Sequence, residues 1–277
     1  MSLFLRFPGF RNKAVTISYD DGVFQDERLI SIMRKYGMKG TFNIPSAYMD
    51  NDNPKWLPPE KAKNIYSGDD IEVAIHGAKH YNLTAVEPAC AARDVLFDRE
   101  RLEKHFGRVI RGMAYAFGKY NDRVVDVLKS CGIEYARTTV STEAFALPAD
   151  WLRMPATCHH KNPKLMELVD QFLKDKPGSF WGSGPKLFYL WGHSYEFDND
   201  NNWDVFEKFC EKIGGRDDVY YATNGEIYRY VKAFESLRFS TDLEYVDNPS
   251  ATDVYIDVIG NKVLVPAGCE VKISSLS

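Results

Sequence analysis

No run of about 18 apolar residues interrupts this sequence, so it carries no candidate transmembrane helix and no membrane partner is expected. The opening MSLFLRFPGF does not read as a signal peptide, because Arg6 and Pro8 break its short apolar stretch. A cytoplasmic location is therefore expected, with an exported form left open. The five cysteines (Cys90, Cys131, Cys158, Cys210 and Cys269) lie far apart, odd in number and without a C-x-x-C pair. That spacing excludes a disulfide framework or a thiolate zinc cluster and leaves buried free thiols as the expectation. Lys plus Arg number 35 against 39 Asp plus Glu, a net charge of −4, so no global basic field is available to hold nucleic acid. Internal repeats and low-complexity tracts are absent too.

What is present is a chain of 277 residues that is 44% hydrophobic and 27% charged, enough apolar surface for one large core and enough polarity for solubility. Its patterning alternates. AVTISY (Ala14 to Tyr19) is β-rich and stops at Asp20-Asp21-Gly22, and Leu29, Ile30, Met33 and Tyr36 then recur at helical spacing before Gly37. TFNI (Thr41 to Ile44) reads as the next strand, and IEVAI (Ile71 to Ile75) as one that ends at His76. Val86 to Phe106 and Asn121 to Cys131 read as helices, Glu134 to Thr139 and Lys186 to Trp191 as strands, and the segments around Val205–Ile213, Val219–Thr223 and Gly225–Glu235 continue the alternation. The pattern predicts an α/β fold with a parallel sheet of about seven strands, open or closed into a barrel, and functional groups at the strands' carboxyl ends. From about residue 237 alternation at Val254, Ile256 and Val258, with turns at Gly260-Asn261 and Pro266-Ala267-Gly268, predicts a small antiparallel β extension. The expected division is thus 1–236 and 237–277; the extension could pack on the barrel, cover the groove or mediate formation of a homo-oligomer.

Three segments at predicted strand ends share one rim: Asp20-Asp21-Gly22, His76-Gly77-Ala78-Lys79-His80, and His193. A carboxylate and two imidazoles form a competent site for Zn²⁺ or a related divalent ion, and four-residue spacing within a helical turn would place His76 and His80 on one side. Each segment also has an ordinary structural role: H-x-x-x-H alone is a weak signal, and Asp20-Asp21 could simply cap the following helix.

In this order, Ser18-Tyr19-Asp20-Asp21-Gly22, His76-Gly77-Ala78-Lys79-His80, Ala114-Tyr115-Ala116-Phe117 and Leu190-Trp191-Gly192-His193 resemble the motifs of the NodB-like polysaccharide deacetylases over roughly residues 14 to 230. The third segment departs from the family's R-x-P-[FY], with Ala114 and Ala116 replacing Arg and Pro. The resemblance implies the closed form, a distorted (β/α) barrel, with Asp21, His76 and His80 as metal ligands, Asp20 as general base and His193 as general acid. It also implies a backbone N–H at Phe117 for the oxyanion, with Tyr115 and Trp191 beside the substrate. The family's Arg pairs with the catalytic aspartate; Arg111, Arg137 or Arg153 could substitute, and Arg137 at a strand end is preferred. The ion is expected to be Zn²⁺, with Co²⁺, Ni²⁺ or Fe²⁺ also compatible.

The implied activity is hydrolysis of an acetylated carbohydrate. A small-molecule amidase acting on cyclic ureides, a non-catalytic sugar-binding protein and a non-haem iron oxygenase remain rival readings of the same residues. Tyr48, Trp56, Trp181 and Trp203 are candidate sugar-stacking rings, with core packing as their ordinary role. His159 and His160 read as a loop pair, exposed or lining the groove.

Overall fold

The computed structural model describes residues 3–50, 53–174 and 184–273. The chain begins with β1 (Leu3–Arg6) and enters the main sheet as β2 (Lys13–Asp20), β3 (Gly40–Ile44), β4 (Ile71–Ile75), β5 (Gly112–Ala114) and β6 (Tyr135–Ser141). Then come β7 (Met154–Ala156), β8 (Cys158–His159), β9 (Lys186–Gly192) and β10 (Val219–Tyr221). All pairings in this sheet are parallel, in the order β7-β6-β5-β4-β3-β2-β9-β8. The run 154–159 pairs with β6 through β7 and with β9 through β8, so the sheet closes on itself. β10 lies beside the first half of β2 (Lys13 to Val15), whereas β3 takes the second half from Ile17. The α/β barrel read from the sequence is what forms.

Helices α1 (Asp26–Lys35), α2 (Pro59–Ile65), α3 (Pro88–Phe106), α4 (Asp122–Ser130), α5 (Leu165–Lys174), α6 (Tyr195–Asn199), α7 (Trp203–Ile213) and α8 (Asn224–Glu235) complete the alternation. Period-two alternation decides what each strand offers to each side. Val15, Ile17 and Tyr19 of β2, Phe42 and Ile44 of β3, and Ile71, Val73 and Ile75 of β4 share one core cluster with apolar residues of the helices, including Leu29, Met33, Val95 and Phe206. The intervening positions, Thr16, Ser18, Asp20, Thr41, Asn43 and Glu72, face the other way and make a polar interior. Thr16 Oγ1 donates to Asn224 Oδ1 (2.9 Å), and Asn224 Nδ2 donates to the Tyr189 hydroxyl (2.7 Å). Thr41 Oγ1 donates to Glu72 Oε2 (2.9 Å). Each buried polar group so placed needs a partner, and this chain of bonds supplies them.

The C-terminal strands β11 (Arg238–Phe239), β12 (Tyr245–Asp247), β13 (Val254–Val258), β14 (Asn261–Val265) and β15 (Glu270–Lys272) form two small antiparallel sheets. β1 pairs with β13, so an N-terminal strand not foreseen in the sequence belongs to the extension's sheet. Three departures from the sequence reading matter. His159 lies in a strand rather than a loop, Cys90 and Cys269 are exposed rather than buried, and the H-x-x-x-H segment is a tight turn rather than a helical one. No helix among the described residues is long and apolar enough to cross a membrane.

Candidate active site

Alternation along β2 turns Asp20 inward at the strand's last position, where it is buried. Asn43 on the adjacent β3 donates to Asp20 Oδ1 (2.8 Å), and the Arg137 guanidinium on β6 donates to Oδ2. Burial by itself would raise the Asp20 carboxyl, but Arg137, with His76 and His193, outweighs it and holds the pKa down to about 2. Arg137 is itself buried, and its guanidinium carbon lies 4.3 Å from the centroid of the Trp191 ring.

The next residue, Asp21, leaves the strand with φ +84°, which re-aims its side chain toward the loop after β4. Its Oδ1 is 3.8 Å from Nε2 of His76 and 3.8 Å from Nε2 of His80. The turn that brings the two histidines together has Gly77 at φ +78° and closes with His80 N–H on the Gly77 carbonyl (2.9 Å). Asp98 of α3 pins it, accepting from the backbone N–H groups of His76 (3.1 Å) and Ser46 (2.8 Å). His80 (φ +54°) and Phe117 (φ +57°) join Asp21 among the few non-glycine residues in the left-handed region. Such conformations persist only where surrounding contacts enforce them, and three of them meet at this rim.

Asp21, His76 and His80 can each offer one ligand atom within 4.8 Å of the others. The chemistry of the donors fits a divalent ion. A carbonyl only accepts, so the 2.8 Å contact of His76 Nδ1 with the Ala114 oxygen places the ring proton on Nδ1 and leaves the Nε2 lone pair facing Asp21. Burial and the neighbouring His76 lower the pKa of His80, which favours its neutral, ligating form.

His193 follows β9, half-buried, with Nε2 3.9 Å from Asp20 Oδ2. Its Nδ1 and its backbone N each lie 3.2 Å from Glu196 Oε2. Burial works to lower the His193 pKa, yet Glu196, Asp20 and Asp21 together raise it. Glu196 was missed in the sequence; its only signal there is the three-residue offset from His193 on a short helix. It also meets His159 Nε2 at 3.2 Å, His160 Nε2 at 3.4 Å and Lys161 Nζ at 3.2 Å. His159, His160 and Glu196 could geometrically hold an ion. However, His159 Nδ1 accepts from the Lys161 N–H (3.1 Å), which puts the His159 proton on Nε2 and makes that atom a donor to Glu196 rather than a ligand. His160, in the turn after β8, is buried between the rings of Tyr19 and Phe197, correcting its reading as exposed or lining the groove.

The other predicted residues separate. The exposed Phe117 ring packs edge-on against His80 at 4.5 Å, and Trp191 lies under Arg137. Tyr115 is not brought to the cleft: its ring is buried, stacks on Tyr120, and its hydroxyl donates to the Leu152 carbonyl (2.8 Å), because position 115 faces the apolar side of the sheet. Arg153 instead pairs with Asp150 and Asp122, and the Arg111 guanidinium donates to the Gly132 carbonyl. Trp203 is core, donating to Asp198 (2.7 Å), and Trp181 lies outside the described residues.

Residues 9–136 match the polysaccharide deacetylase family model. Over that stretch, a little under half of its length, the chain is similar to the polysaccharide deacetylases. A solved protein described as a putative polysaccharide deacetylase from Mycobacterium smegmatis shares this fold at TM-score 0.61 and 16% identity, over 84% of this chain and 95% of that one. A family 4 carbohydrate esterase from Streptomyces lividans, solved with acetate, aligns at TM-score 0.52 and 13% identity over 76% and 93%. A family pseudoenzyme from Bacillus anthracis aligns at 0.50 and 14% over 81% and 68%. Against deacetylases from Streptococcus pyogenes, Bacillus cereus and Bacillus anthracis, the deacetylase alignment spans only 61%, 44% and 51% of their lengths. No curated protein sequence matches the chain.

Proposed function

We propose that this protein is a metal-dependent hydrolase that removes acetyl groups from an N- or O-acetylated carbohydrate. The observation that carries the reading is the convergence, at one barrel rim, of a ligand-competent Asp21-His76-His80 trio with an ionised carboxylate beside it and an imidazole opposite.

Asp21, His76 and His80 would hold the ion, which when bound supplies Lewis acidity toward the acyl carbonyl and the attacking water. Asp20 accepts the water's proton. Its two oxygens are oriented by Asn43 and Arg137, and it stays ionised through the neutral range. His193 donates to the departing nitrogen or oxygen. That step is decisive for an amide, whose anion is a very poor leaving group, and Glu196 holds the Nδ1 side of the ring so that Nε2 faces the cleft. On this reading the Phe117 N–H meets the carbonyl oxygen as it gains charge.

Purified protein is expected to carry about one divalent ion per chain, a content that His80→Ala lowers sharply and Asp20→Asn leaves in place. Asp20→Asn is expected to abolish acetate release from acetylated oligosaccharides. Undiminished release by that variant would remove Asp20 from the reaction. Binding without turnover by the unaltered protein would make it a sugar-binding module, and consumption of cyclic ureides in preference to acetylated sugars would make it an amidase.

A further inference from the structure

An arc of side chains runs around one side of the cleft mouth from the candidate ligand His80 to the candidate acid His193. The Tyr48 ring lies 6.4 Å from His80 and 4.3 Å from Trp56. Lys55 Nζ is 4.3 Å from the Trp56 ring and 4.6 Å from the Tyr195 ring, and Tyr195 is 5.3 Å from His193. The segment that presents Lys55 is fastened directly behind Asp21. Phe24 N–H donates to the Lys55 carbonyl (3.4 Å), Leu57 N–H donates to the Gly22 carbonyl (3.0 Å), and Trp56 bridges Val23.

The charge balance around the arc singles out its one cation. The carboxylates of the site are engaged: Asp20 by Arg137, Glu196 by His193, His159 and Lys161, and Asp21 by its histidines. Among the described residues none lies within ion-pair distance of Lys55, which is exposed and rests on two aromatic faces. An exposed cation over half-buried rings is weakly held, so its ammonium can exchange that contact for a stronger charge-assisted bond to an anion.

We propose that Lys55 recognises a carboxylate on the acylated saccharide, so that the preferred substrate is acidic, its carboxylate standing one aromatic ring away from the acyl group. The inference rests on the hydrolase reading and narrows it: the rings of Tyr48, Trp56 and Tyr195 face the sugar, while Lys55 selects the sugar by charge. Without this charge the arc would accept neutral saccharides equally well.

The test uses two acetylated disaccharides that differ only in a carboxylate reduced to the primary alcohol. The intact protein should deacetylate the acidic one with a kcat/KM about tenfold higher, the worth of one hydrogen bond to a charged group, and added salt should shrink the ratio. Lys55→Met, which keeps the stem that packs on Trp56, should bring the ratio close to one, and Lys55→Arg should retain it. Equal rates for the two sugars in the unaltered protein, or a ratio that survives Lys55→Met, would overturn the assignment while leaving the hydrolase reading standing. Should neither sugar release acetate, the hydrolase reading fails, and calorimetric binding of the same pair decides the role of Lys55. Tighter binding of the acid that is lost in Lys55→Met supports it; equal affinities, or no binding of the acid, overturn it.

Discussion

Replacing Arg137 with methionine strikes the pair that orients the proposed base. The side chains of Arg137 and Asp20 are 1% and 3% exposed, so the substitution strands a carboxylate where water cannot repair the loss. Breaking a buried pair from one side costs about 3–5 kcal/mol, and the lost stacking on Trp191 falls within that figure. With a urea dependence of about 2–3 kcal/mol per molar, the unfolding midpoint should drop by more than about 1 M. Asp20→Asn in the same chain removes the stranded charge, so the double variant should recover about 2 kcal/mol relative to the sum of the single effects. The pH dependence has a defined sign. Because the folded pKa of Asp20 is depressed to about 2, the pair's contribution is present above the unfolded carboxyl value and is lost as pH falls through about 2. In Arg137→Met burial is no longer opposed by the guanidinium, the folded pKa of Asp20 rises, and this acid-side loss should shrink or reverse. A cost below about 1 kcal/mol, or strictly additive single effects, would refute the reasoning.

Glu196→Gln removes the carboxylate that supports the protonated His193 ring, so the high-pH limb of acetate release should move to lower pH; an unmoved limb would show that Glu196 does not tune the acid. Asp26 is buried at the start of α1, accepting from the hydroxyls of Tyr66 and Ser194, and burial pushes its pKa up to about 7. A raised carboxyl contributes stability below its unfolded value and loses it as pH rises through about 7. Asp26→Asn should therefore gain on the unaltered protein between pH 4 and pH 8, by up to about 4 kcal/mol in urea titrations, and a pH-independent difference would contradict this.

Much of the scaffold was legible because local pattern and tertiary need coincide. The strand carrying AVTISY has alternating apolar and polar positions, and that alternation is what sends Asp20 inward and Tyr19 to the helices. Parallel strands separated by helices then place Asp21, His76 and His193 at one rim. The strand at Leu3–Arg6 was illegible because its partner, β13, lies some 250 residues away in the chain. His159 was read as a loop residue because it follows Pro155 in a short, weakly patterned stretch, yet the run 154–159 closes the barrel.

The sequence by itself determined the alternation of elements, the faces their side chains occupy and the chemical types gathered at the strand ends, since these follow from local periodicity. Only the tertiary structure decided which partners those groups meet. Arg137 reaches Asp20 because β6 arcs around a closed barrel to face β2, Glu196 reaches His193 because α6 turns directly after β9, and Tyr115 turns into the core. Such contacts depend on how remote segments pack, a quantity that no local pattern encodes.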